Sequence, residues 1–87
     1  MHEFHLIKDL MRKITEICHE NGAEKVLGVK VRIGALAHIT PDHFREHFEQ
    51  AAVGTVADGA SLDATLNPDE NDPQAQDILL LSVEVEE

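Results

Sequence analysis

The chain begins Met1-His2-Glu3-Phe4-His5, so two imidazoles, a carboxylate and the α-amine fall within five residues. Those groups can chelate a metal. The Met1 amine, the backbone nitrogen of His2 and the His2 imidazole close a five-membered and a six-membered ring on one ion. Such a planar nitrogen set suits Ni(II) or Cu(II) and suits tetrahedral zinc poorly. Glu3 adds an oxygen from the side. His5 is near enough to add a further ligand, or a hydrogen bond to one. The chemistry needs a histidine at position two and a free amine. Met1 must therefore be retained, which the bulky second residue favours. Against this, any Met-His peptide takes up some Cu(II) or Ni(II), and spacing alone leaves a physiological site and an incidental one both open.

The other histidines are weaker candidates. His43 and His47 stand four apart on a helical pattern, hence on one face. That spacing can hold a divalent metal. They lie beside Arg45 and Glu46, between Phe44 and Phe48, and a solvated helix face is the favoured reading. His38 falls in a strand-to-helix turn. His19 falls near a helix end, where a partly protonated imidazole suits the negative pole. Cys18 lies on an apolar stripe and reads as a buried core cysteine more than as a reactive thiol. It is the only cysteine, so neither an internal disulfide nor a four-thiolate zinc knuckle can form. The chain shows no phosphate-binding glycine loop and no nucleophile elbow. It reads as a binding protein and not an enzyme. A catalyst with His2 or His38 as general base is the least supported reading.

Periodicity gives the elements that must position these groups. Residues 5–21 read as a helix with Ile7, Leu10, Met11, Ile14, Ile17 and Cys18 on one face, and Gly22 as its stop. The stretch 25–34 alternates, with Val29, Val31 and Ile33 inward and Lys30 and Arg32 outward. Thr40 and Pro41 open a second helix, capped and pre-set, with Phe44, Phe48 and Ala51 or Ala52 buried and Gly54 at its end. A second strand, 61–66, places Leu62, Ala64 and Leu66 inward. The stretch 67–77 holds two prolines and four acids and reads as a mobile loop. A third strand, 78–87, places Leu79, Leu81, Val83 and Val85 inward. Ile78 and Leu80 then fall on the outer face, as ordinary exposed residues or as half of a contact surface.

The expected fold is α/β: two helices packed on one face of a three-stranded mixed sheet, in the order helix-strand-helix-strand-strand. Strands one and two should run parallel through a right-handed crossover. Strands two and three should pair as a hairpin across the acidic loop.

Eighty-seven residues fit one domain, 1–87. The formal charge is −10, from 7 basic and 17 acidic residues. That disfavours nucleic acid as a partner, because phosphate recognition needs basic side chains. It favours cations and basic protein surfaces, or serves solubility alone. No apolar run reaches membrane-span length, and the N-terminus lacks a signal-peptide core. With one unpaired thiol, the protein reads as cytoplasmic.

These residues also carry a resemblance. "MHE", "NGAEKV", "RIGALAHITPDHF", "GTVADGASL" and "SVEVEE" occur in this order in one family. The chain resembles the HypA/HybF hydrogenase nickel-incorporation proteins, over 1–68 and again over 78–87. The resemblance implies a nickel metallochaperone that assists nickel insertion into nickel–iron hydrogenase, and in some organisms serves urease. It implies the hydrogenase large subunit and a nickel-loaded GTPase as partners. It implies Ni(II) at Met1, His2 and Glu3, with His5 a weaker candidate. It also implies a zinc domain on two CxxC pairs between the last two strands, where this chain holds only the loop 67–77. The departure leaves a second reading, a metal-independent interaction module that docks on a hydrogenase-maturation partner through its outer sheet face. The segment "DHFREHF" departs from the family too, so His43 and His47 take no role from it.

With Cys18 the only thiolate, no sulfur-rich tetrahedral site can form in one chain. Metal analysis of purified protein after chelator treatment should find zinc well below one equivalent. Stoichiometric zinc that survives the chelator would make the histidines a zinc site.

Overall fold

The structure, a computed structural model, describes the backbone of residues 2–86 and the side chains of residues 6–86. The elements are α1 (His2–Glu20), β1 (Val26–Ile33), α2 (Pro41–Ala52), β2 (Ser61–Leu66) and β3 (Ile78–Val85). Two helices lie on one face of a three-stranded mixed sheet, as the periodicity predicts. Helix α1 covers β3 and α2 covers β2.

Helix α1 starts three residues earlier than the apolar pattern indicates, and so takes in His2 and Glu3 of the Met-His-Glu start. Its apolar face is Ile7, Leu10, Met11, Ile14 and Cys18, all buried, with Ile17 half-buried. The helix ends in a Schellman turn: Ala23 N–H donates to the Cys18 carbonyl and Gly22 N–H to that of His19, with Gly22 at φ 67°. Only a residue without a Cβ adopts that φ at no cost. Helix α2 begins as its sequence dictates. Thr40 is extended, and its hydroxyl accepts from His43 N–H at 3.2 Å. Phe44, Phe48 and Ala52 form its buried face.

The strand order is β2-β1-β3. Strand β1 pairs parallel with β2 and antiparallel with β3. The expected hairpin between β2 and β3 is therefore corrected: both lie at the edges and do not touch each other as neighbours. Strand β1 is the reason. Val26, Val29, Val31 and Ile33 are buried under the helices, and its backbone is paired on both sides. The polar outer face of β1 remains, with Lys30 opposite Asp63 on one side and Ser82 on the other.

The inward set on β3 is also corrected. Between Lys30↔Ser82 and Val31↔Leu80 the register slips, so Leu81 is an extra residue with no partner on β1. Such a bulge reverses the side-chain phase. Val83 and Val85 face the core after it, and Ile78 and Leu80 face the core before it. Leu81 is left 51% exposed, and Leu79 lies opposite Arg32. Ile78 and Leu80, expected on the outer face as ordinary exposed residues or as half of a contact surface, pack against the core instead. A second slip, at Leu27, shifts the phase of β1 between Val26 and Val29 and leaves Leu27 exposed. On β2, Leu62 is buried as expected, but Leu66 at the strand end is exposed.

The acidic stretch 67–77 carries neither helix nor strand, and its turns are bonded. Asn67 Nδ2 donates to Asp72 Oδ2 at 2.8 Å. The Asp72 carboxylate also accepts from Gln74 N–H, and Asp69 from Asn71 N–H. Here the Asn and Asp side chains mimic turns by bonding the backbone two residues on. The stretch crosses the end of β1: Gly34 N–H donates to the Asp77 carbonyl at 2.9 Å and Leu36 N–H to that of Ala75 at 2.7 Å. Ala75 is buried.

A Cβ at Gly34 would overlap the Ala75 carbonyl carbon and oxygen. The obstacle is backbone, which cannot swing away as a side chain can. Gly34→Ala should therefore cost about 2–4 kcal/mol, in the range of severe core overpacking. Urea unfolding measures it, and a change below about 0.5 kcal/mol would show that the crossing loop is loose.

Candidate metal centre

The candidate terminal ligands are partly outside what is described. Met1, and the side chains of His2, Glu3 and His5, lie outside the described residues. The backbone from His2 onward is helical. This matters for the chelate, because the first four N–H groups of a helix have no carbonyl partner within it. The His2 amide nitrogen is one of these, so a metal there takes no bond from the helix ladder.

Helices α1 and α2 share a groove of about 450 Å³, lined by Ile7, Lys8 and Met11 from α1 and His47, Gln50 and Ala51 from α2. Further along, the Thr55 hydroxyl lies 3.7 Å from Met11 Sδ. Each helix is joined to an end of β1 by a short turn, α1 before it and α2 after it. The two helices run in the same sense, each antiparallel to β1, and both begin at the same end of the molecule.

At that end stand His43 and His47, in the first two turns of α2. Their Nε2 atoms are 2.8 Å apart. The rings stack with centroids 4.6 Å apart and planes inclined by 27°. The i, i+4 spacing announced a shared face. That the two Nε2 atoms converge depends on rotamers, which carry no signal in the sequence. On the other side of α2, Arg45 bonds Asp42 Oδ1 at 3.0 Å and the Leu62 carbonyl at 3.4 Å, and so ties the helix to β2.

The other candidates are scattered. His38 is exposed in the turn after β1, at φ 60°. His19 is exposed in the last turn of α1. Cys18 is fully buried, as its place on the stripe predicts, and its thiol donates to the Ala23 carbonyl at 3.4 Å. Among the described residues, no three metal-capable side chains come together. No described helix is long and apolar enough to cross a membrane.

A family model described as hydrogenase/urease nickel incorporation, metallochaperone, HypA, matches residues 1–72. This chain is similar to the hydrogenase maturation factor HypA of Rhizobium leguminosarum, 36% identical over 63 residues, which span 72% of this chain and 56% of that protein. It is 33% identical to HypA of Archaeoglobus fulgidus over 66 residues, 76% of this chain and 60% of that one. Among solved structures, the nickel metallochaperone HypA from Helicobacter pylori has the same fold, with a TM-score of 0.77 and 21% identity over 95% of this chain and 96% of the other. The match brings together a nickel-incorporation class and a two-layer α/β fold. The chain belongs to the HypA family, and it spans just over half the length of these two curated relatives.

The cap that starts α2 also sets the place of His43, whose N–H it binds. Thr40→Ala should cost about 0.5–2 kcal/mol of stability. Thermal or urea unfolding reads this directly, and an unchanged midpoint would show that the cap contributes nothing.

Proposed function

We propose that this protein is a nickel metallochaperone that assists nickel insertion into nickel–iron hydrogenase. The observation that carries the reading is the Met1-His2-Glu3 start inside the segment that matches the nickel-incorporation family. The ligands are the Met1 amine, the His2 amide nitrogen and imidazole, and the Glu3 carboxylate, with His5 adding a weaker contact. Hydrogenase is the target the relatives' description favours, with urease named beside it. The hydrogenase large subunit and a nickel GTPase are the proposed partners, and the cytoplasm the place of action. The protein binds and releases; it catalyses no reaction.

Capture and release follow from the ligands. Amine, amide and imidazole must lose protons to bind, so affinity rises with pH as the amine and imidazole titrate, across roughly pH 6–8. A terminal chelate can be taken apart one ligand at a time, so a partner with better ligands removes the ion without unfolding anything. In place of the family's zinc domain the loop 67–77 closes the fold across the end of β1, and residues 1–87 act as one nickel-binding domain. No zinc is part of this mechanism. The second reading, a metal-independent docking module, loses support because Ile78 and Leu80 face the core.

Position in the chain is part of this chemistry. Two residues added before Met1 turn the amine into an amide and break the chelate, although every side chain remains. His2→Ala removes the imidazole and keeps the amine. Both changes should abolish tight nickel binding in calorimetric titration. Circular dichroism should change little, because the buried face described for α1, Ile7 to Cys18, keeps all its residues. Unchanged affinity in the extended protein would refute the terminal chelate.

A further inference from the structure

We infer that the free edge of β3, over residues 82–86, is a docking site for an extended segment of a basic partner protein, one that alternates apolar and basic side chains and adds to the sheet as a further strand. Strand β3 pairs with β1 on one side and with no strand on the other. Glu86 N–H donates to the Lys25 carbonyl at 2.9 Å, so the ladder with β1 runs on past Val85. The backbone groups of successive residues in a strand point to opposite sides. The N–H and C=O of Val83 and Val85 therefore point away from β1, to the free edge. A row of such groups is the template that a strand added from outside completes.

The side chains along this run are of two kinds. Val83 and Val85 face the core yet stay half-buried, whereas Val29 and Val31 of the central strand are buried. They are left partly open because β3 is the last strand of the sheet. Apolar residues of an added strand would cover them on that face. Glu84 lies on the other face and Glu86 follows two residues on, both exposed. The ion pairs between described side chains, Arg12 with Asp9 and Arg45 with Asp42, leave both glutamates out. Basic residues two apart on the added strand would lie opposite them. The formal charge of −10 draws such a segment in and disfavours a second copy of this acidic chain.

The edge of β2 does not offer the same. Arg45 reaches from α2 and donates Nε–H to the Leu62 carbonyl at 3.4 Å, so a side chain already lies against that strand. On β3 the bulge at Leu81 ends the open run on one side, since a bulge disrupts straight pairing. The run 82–86 is short and suits a partner that comes and goes. It lies beside the start of β1 and the end of α1, away from the end where both helices begin. A partner held there leaves the helix starts uncovered, and the inference does not depend on nickel binding.

The test is a 1H–15N titration of the full chain with a short capped peptide that alternates lysine and valine, and with its glutamate–valine counterpart. With the lysine peptide, the Val83 and Val85 amide signals should move most and their hydrogen exchange should slow. Glu84→Lys combined with Glu86→Lys should weaken that binding about tenfold or more while leaving the backbone as it is. Val83→Pro removes an edge N–H that β1 does not use, and should weaken it as well. Circular dichroism checks the fold of each variant. Shifts centred on the acidic stretch 67–77, or unchanged binding by the doubly reversed variant, would reduce the effect to general charge attraction and overturn the site. Equal binding of the glutamate peptide would overturn the basic partner. Sedimentation of the chain alone checks for a second copy: a dimer with the Val83 and Val85 amides already protected would put this chain itself on the edge and overturn the proposal.

Discussion

Strand β1 has both of its edges occupied, by β2 in parallel and by β3 in the opposite sense, and its inner face carries Val26, Val29, Val31 and Ile33 to the core. Its parallel neighbour β2 can be reached only by a crossover, and here the chain does not turn by a hairpin to its antiparallel neighbour β3 either. The chain leaves β1 through a turn into α2 and reaches β2 parallel to it. It must then pass over the end of β1 to reach the far edge. The stretch 67–77 makes that passage, and Gly34 is the point where its backbone comes closest. The carbonyls of Asp77 and Ala75 meet the N–H groups of Gly34 and Leu36, so the crossing completes the backbone pairing that β1 begins. A small domain with a thin core depends on such closure, because it has few other buried contacts to lose.

The same strand arranges the two helices. Each connects to β1 at one end, so each runs antiparallel to it and the two run in one direction. Their N-termini therefore fall at one end of the molecule. The metal-capable residues of the first turns of α1 and α2 are 40 residues apart in the chain, from 3 to 43, and the fold brings these turns to the same end. The acidic surface suits this arrangement, since a field that attracts cations raises their local concentration before any ligand is engaged.

Much of this was legible in the residues. Three-and-four spacing marks both helices, Thr40 and Pro41 mark the start of α2, and alternation marks β1. Strand order was not legible, because a hairpin and a crossing loop have the same composition and differ only in which edge of β1 is left to fill. The inward face of β3 differs from the alternation for a physical reason. Period-two counting assumes an unbroken ladder, and the bulge at Leu81 moves Ile78 and Leu80 to the core while keeping Val83 and Val85 there. The run of four apolar residues, 78–81, hides the slip, since either phase finds an apolar side chain. At the start of α1, Phe4 continues the three-and-four spacing back from Ile7, while His2 and Glu3 add nothing to an apolar stripe. Spacing puts His43 and His47 on one helix face, and only the rotamers bring their nitrogens together.

The central claim is that nickel is held by the chain terminus itself, with the α-amine as a ligand. Acetylation of that amine tests it most directly, because it removes one lone pair and changes no residue. Acetylated and unmodified protein should be titrated with Ni(II) side by side, with the modification verified by intact mass. The account predicts that acetylation removes the tightest nickel event and leaves the unfolding curve almost unchanged. Equal nickel affinity in the two samples would contradict it.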